Sequence, residues 1–145
     1  MLVIVPCGQA KRATRSQAGV MYTGPYHRAC LDYARSIAPA EAILILSAKY
    51  GLLRLTDWVE PYDLRMGQRG AVTPDVVRAQ AERLGVLDAR PVIALGGIDY
   101  TGVCRAVWPG CVLPLAGVGG LGRQRQWLRQ HRGRLPVGVT GEVNT

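Results

Sequence analysis

Three short apolar runs, each closed by a turn and separated by stretches of helical character, constrain the fold of this chain more than any other feature. They are Leu2 to Pro6 (LVIVP), Ala42 to Leu46 (AILIL) and Pro91 to Leu95 (PVIAL). A strand that is apolar at every position must be covered on both faces, because successive side chains point to opposite sides of a sheet. Parallel strands need a crossover long enough to hold a helix, and the intervening segments have that length. Thr23 offers a capping side chain and Pro25 lies in the first turn of a helix carrying Ala29, Leu31, Tyr33, Ala34 and Ile37 and ending before Pro39. Thr73-Pro74-Asp75 supplies a cap, a proline at the first helical position and an acid in the first turn, opening a helix to about Leu84. Ile98 to Trp108 reads as a short helix, Cys111 to Leu115 as a fourth strand, and Gly122 to His131 as a last helix. The expectation is an α/β fold, a three-layer sandwich with a mainly parallel sheet of about four strands. Residues 1–132 form one domain and 133–145 a loose tail. Between Ser47 and Val72 lies a long segment with Gly51, Pro61, Gly67 and Gly70, which at this length is more often functional than idle.

In open sheets of this kind ligands bind beyond the carboxyl ends of the strands. The loops Pro6 to Lys11 and Ser47 to Gly51 follow the first two strands, and the loop Ala116 to Leu121 opens the last helix, so all three face one edge. Charge says what that edge would meet. The chain has a net charge of +8, which favours a polyanionic partner through release of counterions. Of its 18 basic residues only Lys11 and Lys49 are lysine. An amine can lose its proton and act as base or nucleophile, as a guanidinium cannot, so these two positions are candidates for chemistry. No apolar run approaches the roughly 20 residues of a membrane span, and the expectation is a soluble, cytoplasmic chain without a membrane partner. Cys7, Cys30, Cys104 and Cys111 lack any C-x-x-C pair and only two histidines accompany them, which argues for free thiols, no structural zinc and no metal or other cofactor.

Cys7 directly follows the first strand, and Lys11 lies close enough in a tight turn to stabilise its thiolate or to point into the same pocket. Arg12 and Arg15 extend this loop and could hold a phosphate. Ser47, Lys49, Tyr50 and Gly51 repeat the arrangement after the second strand: a small hydroxyl, a lysine, an aromatic, then a residue that lets the backbone turn sharply. Glu60 and Asp63, fixed around Pro61, are candidate acid-base groups for a lysine. Tyr22, Tyr50 and Tyr62 could stack on a base. Gly117, Gly119 and Gly120 could present backbone amides to a phosphate. Arg123, Arg125 and Arg129 make the last helix strongly basic, as befits contact with a nucleic-acid backbone.

The pairing of P-C-x-x-x-K after the first strand with L-S-A-K-Y-G-L-L after the second, followed by E-P-Y-D and a late G-x-G-G-x-G before Trp127-Leu128, resembles a bacterial and phage domain family related to YaaA. The resemblance spans roughly residues 2 to 130. It implies the uracil-DNA glycosylase-like fold, used on nucleobases and DNA, and for YaaA-like members DNA binding in oxidative stress. The first motif also resembles part of archaeosine synthase, in which its lysine attacks a modified base. Pro6, Cys7, Lys11 and Ser16 match that pattern, whereas Arg12-Ala13 and Gly19 depart from it. Three readings follow. The leading one is an enzyme acting on a nucleobase in DNA or a nucleotide, with Lys11 or Lys49 as nucleophile or electrostatic stabiliser, Asp63 or Glu60 as acid-base partner, and Tyr50 and Tyr62 sandwiching the base. The second is a non-catalytic DNA-binding protein, with DNA favoured over RNA, in which the lysines only neutralise phosphates. The third is a thiol redox sensor at Cys7.

Overall fold

A computed structural model describes residues 1–139. The three apolar runs form parallel strands, β1 (Leu2–Pro6), β3 (Ile43–Ser47) and β6 (Val92–Ala94), which with β4 (Gly51–Arg54) make one sheet ordered β4-β3-β1-β6. Val3 lies opposite Ile43 on one side and Ile93 on the other, so β1 is the buried centre. Every residue of β1 and β3 is buried, as their unbroken apolarity requires. The helices are α1 (Ala18–Met21), α2 (Pro25–Ile37), α3 (Pro74–Arg83), α4 (Ile98–Val107) and α5 (Leu121–Gln130). Thr73 caps α3 by accepting from the Val76 amide, and Gly24 rather than Thr23 precedes α2. Among the described residues no helix is long and apolar enough to cross a membrane.

The direction of winding places the ligand edge. From β1 the chain passes through α2 to β3 on one side, and from there through α3 to β6 on the other side of β1. Right-handed crossovers running in opposite directions put their helices on opposite faces. The helix packing agrees, with α2 against β1 and α5, and α3 against β4 and α4. The loops leaving β1 and β6 therefore diverge, and the crevice between their carboxyl ends is the topological switch point at which such sheets take ligands.

Two expectations are corrected. The fourth strand is not Cys111 to Leu115, which joins the sheet only through one bridge between Val112 and Ile93. Pro109-Gly110 before it and Pro114 within it leave too few residues with free amides to extend a ladder. The fourth strand is instead β4, antiparallel to β3, inside the long segment between Ser47 and Val72. Within that segment β5 (Trp58–Val59) also pairs with β2 (Ser16–Gln17). Gly51 makes the reversal possible, at φ +76, a conformation costly for any residue with a Cβ. The tail is also held as far as it is described. The Gly133 amide donates to Ser36 Oγ (2.8 Å), and Tyr33 Oη donates to the Arg134 carbonyl (2.8 Å). The rest of the expected tail, 140–145, lies outside the described residues.

Candidate functional site

At the switch point Gly96 (φ +117) lets β6 approach β1 so closely that a Cβ there would lie 3.0 Å from the Pro6 ring. Across that narrow gap the buried Cys7 Sγ and Tyr100 Oη share a hydrogen bond of 3.1 Å. The crevice is thus filled by the chain's own side chains, and the open chemistry lies one loop outward, at Lys11. The Lys11 segment is pinned to the Tyr22 segment by an antiparallel bridge and by the bonds Arg12 N to Met21 O and Thr23 N to Ala10 O. Its Nζ sits 4.3 Å from the centroid of the Tyr62 ring and 5.9 Å from that of Tyr22. The ammonium donates to the Gln9 carbonyl (3.1 Å), while the Gln9 side chain accepts from Arg65 Nη2 (2.7 Å).

The two lysines differ in surroundings. Lys11 is half-buried, and burial lowers its pKa from the ordinary 10.5, opposed by the Cys7 thiol and the Asp63 carboxylate, which favour the charged form. Loss of hydration disfavours an ammonium, so the net direction is toward an amine that deprotonates more easily. Lys49 is exposed and rests only near its neighbour's ring, 5.3 Å from the centroid of Tyr50. Both carboxylates are exposed and neither forms an ion pair with Lys11: Asp63 only favours its charged form at longer range, and Glu60 Oε1 lies 4.0 Å from Arg15 Nε. Arg15 in turn covers the Trp58 ring at 5.0 Å, so it is engaged away from the amine.

Beneath Lys11 runs a hydroxyl chain. Ser47 Oγ accepts from the Lys49 and Tyr50 amides (3.2 and 3.0 Å), which directs its own proton to Tyr62 Oη at 2.7 Å. Tyr62 then donates to Tyr22 Oη at 2.8 Å. Burial pushes the Tyr22 phenol up to about 12 and that of Tyr62 higher still, so the chain is neutral and proton-carrying. Tyr50 and Tyr62 meet edge to face, with centroids 5.5 Å apart and planes at 85°, which leaves no slot between them for a base. A base meeting this site would instead stack on an open ring face.

His27 is a site residue that sequence reasoning missed, because nothing in the spacing of a lone histidine in the first turn of a helix marks it. It is 2% exposed, and its ring packs on Tyr22 with centroids 5.0 Å apart. Nδ1 lies 2.7 Å from the Pro6 carbonyl, an acceptor only, so Nδ1 carries the proton. Nε2 is buried with no partner among the described residues. Burial lowers the pKa of His27 from 6.5. Above about pH 6.5 the ring is neutral in both folded and unfolded chains; below it the unfolded chain takes up a proton that the folded chain refuses. Stability is expected to fall by up to about 1.4 kcal/mol per pH unit from pH 6.5 down toward the folded-state pKa. His27→Asn keeps a donor toward Pro6 and removes the titration. Its denaturation midpoint should therefore change less than that of the parent between pH 7 and 5, and equal slopes would count against a buried neutral imidazole.

The phosphate candidates separate into two groups. Gly117 and Gly119 line a cleft of about 330 Å³ with Gly96, Gly97, Thr101, Arg105 and Gln124, at the carboxyl end of β6. Gly120 precedes α5 without a side-chain cap, and Arg123 lies against Gly119. Arg125 and Arg129 face away from this loop, into the groove between α2 and α5. Arg12 lines an adjoining cleft with Tyr22.

A doubly wound α/β domain whose half-buried lysine lies over tyrosine rings beside the switch point defines the class of protein. The chain belongs to the DUF6884 family, described as a family of unknown function, over residues 2–130. An uncharacterized protein of Bacillus subtilis (strain 168), YfjM, is 36% identical over 115 residues, which is 73% of this chain and 75% of the relative. No solved structure matches significantly.

Proposed function

We propose that this protein is an enzyme acting on the N-glycosidic bond of a nucleobase, with Lys11 as its amine. One observation carries the reading: a half-buried lysine, lowered in pKa by burial, stands over a tyrosine ring at the ligand edge with a carboxylate in electrostatic reach. The kinship with the uracil-DNA glycosylase-like fold that the loop motifs suggest belongs to this reading. The partly exposed Tyr50 ring offers stacking to an extruded base, which every base can accept.

The unprotonated Lys11 amine forms a bond to C1′ of the sugar as the bond from C1′ to the base nitrogen breaks. The departing base takes the proton that the amine nitrogen gives up on forming the new bond, with Asp63 as the relay in this reading. The ring oxygen O4′ then leaves C1′ as a hydroxyl, giving an imine. Water hydrolyses the imine, restoring the lysine and leaving an aldehyde at the abasic sugar.

The test is reductive trapping. Borohydride added to the protein with oligonucleotides carrying uracil, oxidised or deaminated bases should yield a covalent adduct that peptide mapping places on Lys11. Adducts absent from every such substrate, or equally distributed over the protein, would overturn the reading. A redox-sensing role has less support, since Cys7 is buried and hydrogen-bonded whereas a sensor thiol must be accessible.

A further inference from the structure

Beside the Lys11 loop the surface carries two clefts that meet. One, of about 390 Å³ between α2 and α5, is lined by Arg28, Arg125, Arg129 and Arg132. The other, of about 340 Å³, is lined by Arg12, Arg28 and Arg35. Thr23, Arg28 and Asp32 belong to both, so the clefts form one continuous trough. Six arginines line it against a single acid, Asp32. Five of the six are exposed, and their guanidinium groups make no ion pair with an acid among the described residues. The trough begins at Tyr22, the ring that lies 5.9 Å from Lys11 Nζ.

We infer that this trough is the track of a single-stranded polynucleotide whose phosphates run from Arg12 across Arg28 to Arg125, Arg129 and Arg132. The inference rests on the nucleobase reading and names its substrate: a base within an intact strand, not a free nucleotide. A mononucleotide held at Lys11 could use only the Arg12 end, leaving the α2–α5 half without a purpose. Guanidinium groups spaced along a groove match a row of phosphates, with planar donors to each. Such a row supplies affinity and position without reading sequence. An acidic protein surface is the rival occupant. The competition arm of the test separates the two, and the lining itself, Val20, Tyr22 and Leu31 at the Arg12 end with Pro25, Ala29 and Leu128 at the other, offers sugars and bases an apolar floor between the charges.

The experiment measures binding of a fluorescent single strand of about 12 nucleotides, a length within the range one such domain covers, over a series of salt concentrations. The trough variant is Arg28→Gln, Arg129→Gln and Arg132→Gln together. The control, Arg54→Gln, Arg69→Gln and Arg83→Gln, removes the same charge from exposed positions outside the trough. The trough variant should lose at least about tenfold in affinity, and its slope of log K against log salt should fall by about 2, near 0.7 per lost contact on a single strand. The control should stay within about twofold. Equal losses in both variants would overturn the inference, as would competition by polyglutamate equal to that of the oligonucleotide, or by thymidine monophosphate at equal phosphate concentration. Single substitutions at Arg129 and Arg132 carry the same readout should the triple variant melt at lower temperature. The outcome is separable from that of trapping. A trough-specific loss without any Lys11 adduct sinks the catalytic reading alone, and an adduct on free nucleotide with no trough effect sinks this one alone.

Discussion

Lys11→Arg should abolish turnover and borohydride trapping while leaving the fold and the affinity for a strand almost unchanged. Arginine keeps the positive charge over the Tyr62 ring, so the cation–π contact and the attraction to phosphate survive. It cannot surrender a proton near neutral pH, so no nucleophile remains. Loss of a nucleophile is commonly worth more than a thousandfold in rate, and a fall of at least about 10³ is expected here. Lys49→Arg should stay within about twofold of the parent, because that amine is exposed and has no carboxylate acting on it among its described contacts. Activity retained by Lys11→Arg would end the amine mechanism, and activity lost only in Lys49→Arg would move it to the other loop.

The second large effect is on stability, at Gly51. A Cβ there would lie 2.0 Å from the Gln80 side-chain oxygen, at a backbone conformation already unfavourable for alanine. Gln80 spans the turn, its Oε1 accepting from the Leu52 amide and its Nε2 donating to the Tyr50 carbonyl, both at 2.8 Å. Gly51→Ala therefore carries about 1–2 kcal/mol for the left-handed conformation and about 1 kcal/mol for each bond that the displaced glutamine gives up. A total of about 3 kcal/mol should lower the melting temperature by about 6–12 °C in a domain of this size. Gln80→Ala, which loses only the two bonds, should fall about two-thirds as far. A change below about 2 °C in Gly51→Ala would show that the turn relaxes without strain.

The parallel core was legible because LVIVP, AILIL and PVIAL admit no other arrangement: apolar on every residue, they must be buried on both faces. The antiparallel β4 was not, because its run of only four residues follows directly on a turn, and the turn residues hid the reversal. Cys111 to Leu115 misled for the opposite reason, an apolar run whose internal Pro114 and preceding Pro109-Gly110 outweigh its composition. In the site, Lys11 and Ser47 were legible on the loops after the first two strands, and Tyr22, Tyr62 and Asp63 as residue types in the segments that follow. That the structure gathers them around Lys11 and leaves Lys49 and Glu60 at the surface depends on how the segments pack, which spacing does not encode. Tyr100 and His27 come from helices whose local sequence carries no mark of the site; they enter it only because β6 lies against β1 and α2 begins beneath the first loop.

The position of Gln80 has a consequence for the behaviour of the protein in concentrated solution. β4 is an edge strand, with a row of backbone groups turned away from its partner, and such edges recruit strands from other molecules. Leu52 N–H is one of those outward groups, and one side-chain amide from α3 occupies it together with the Tyr50 carbonyl of the turn that leads into the strand. A glutamine here stands in for the missing neighbouring strand. It gives this sheet a closed border where self-association would otherwise begin.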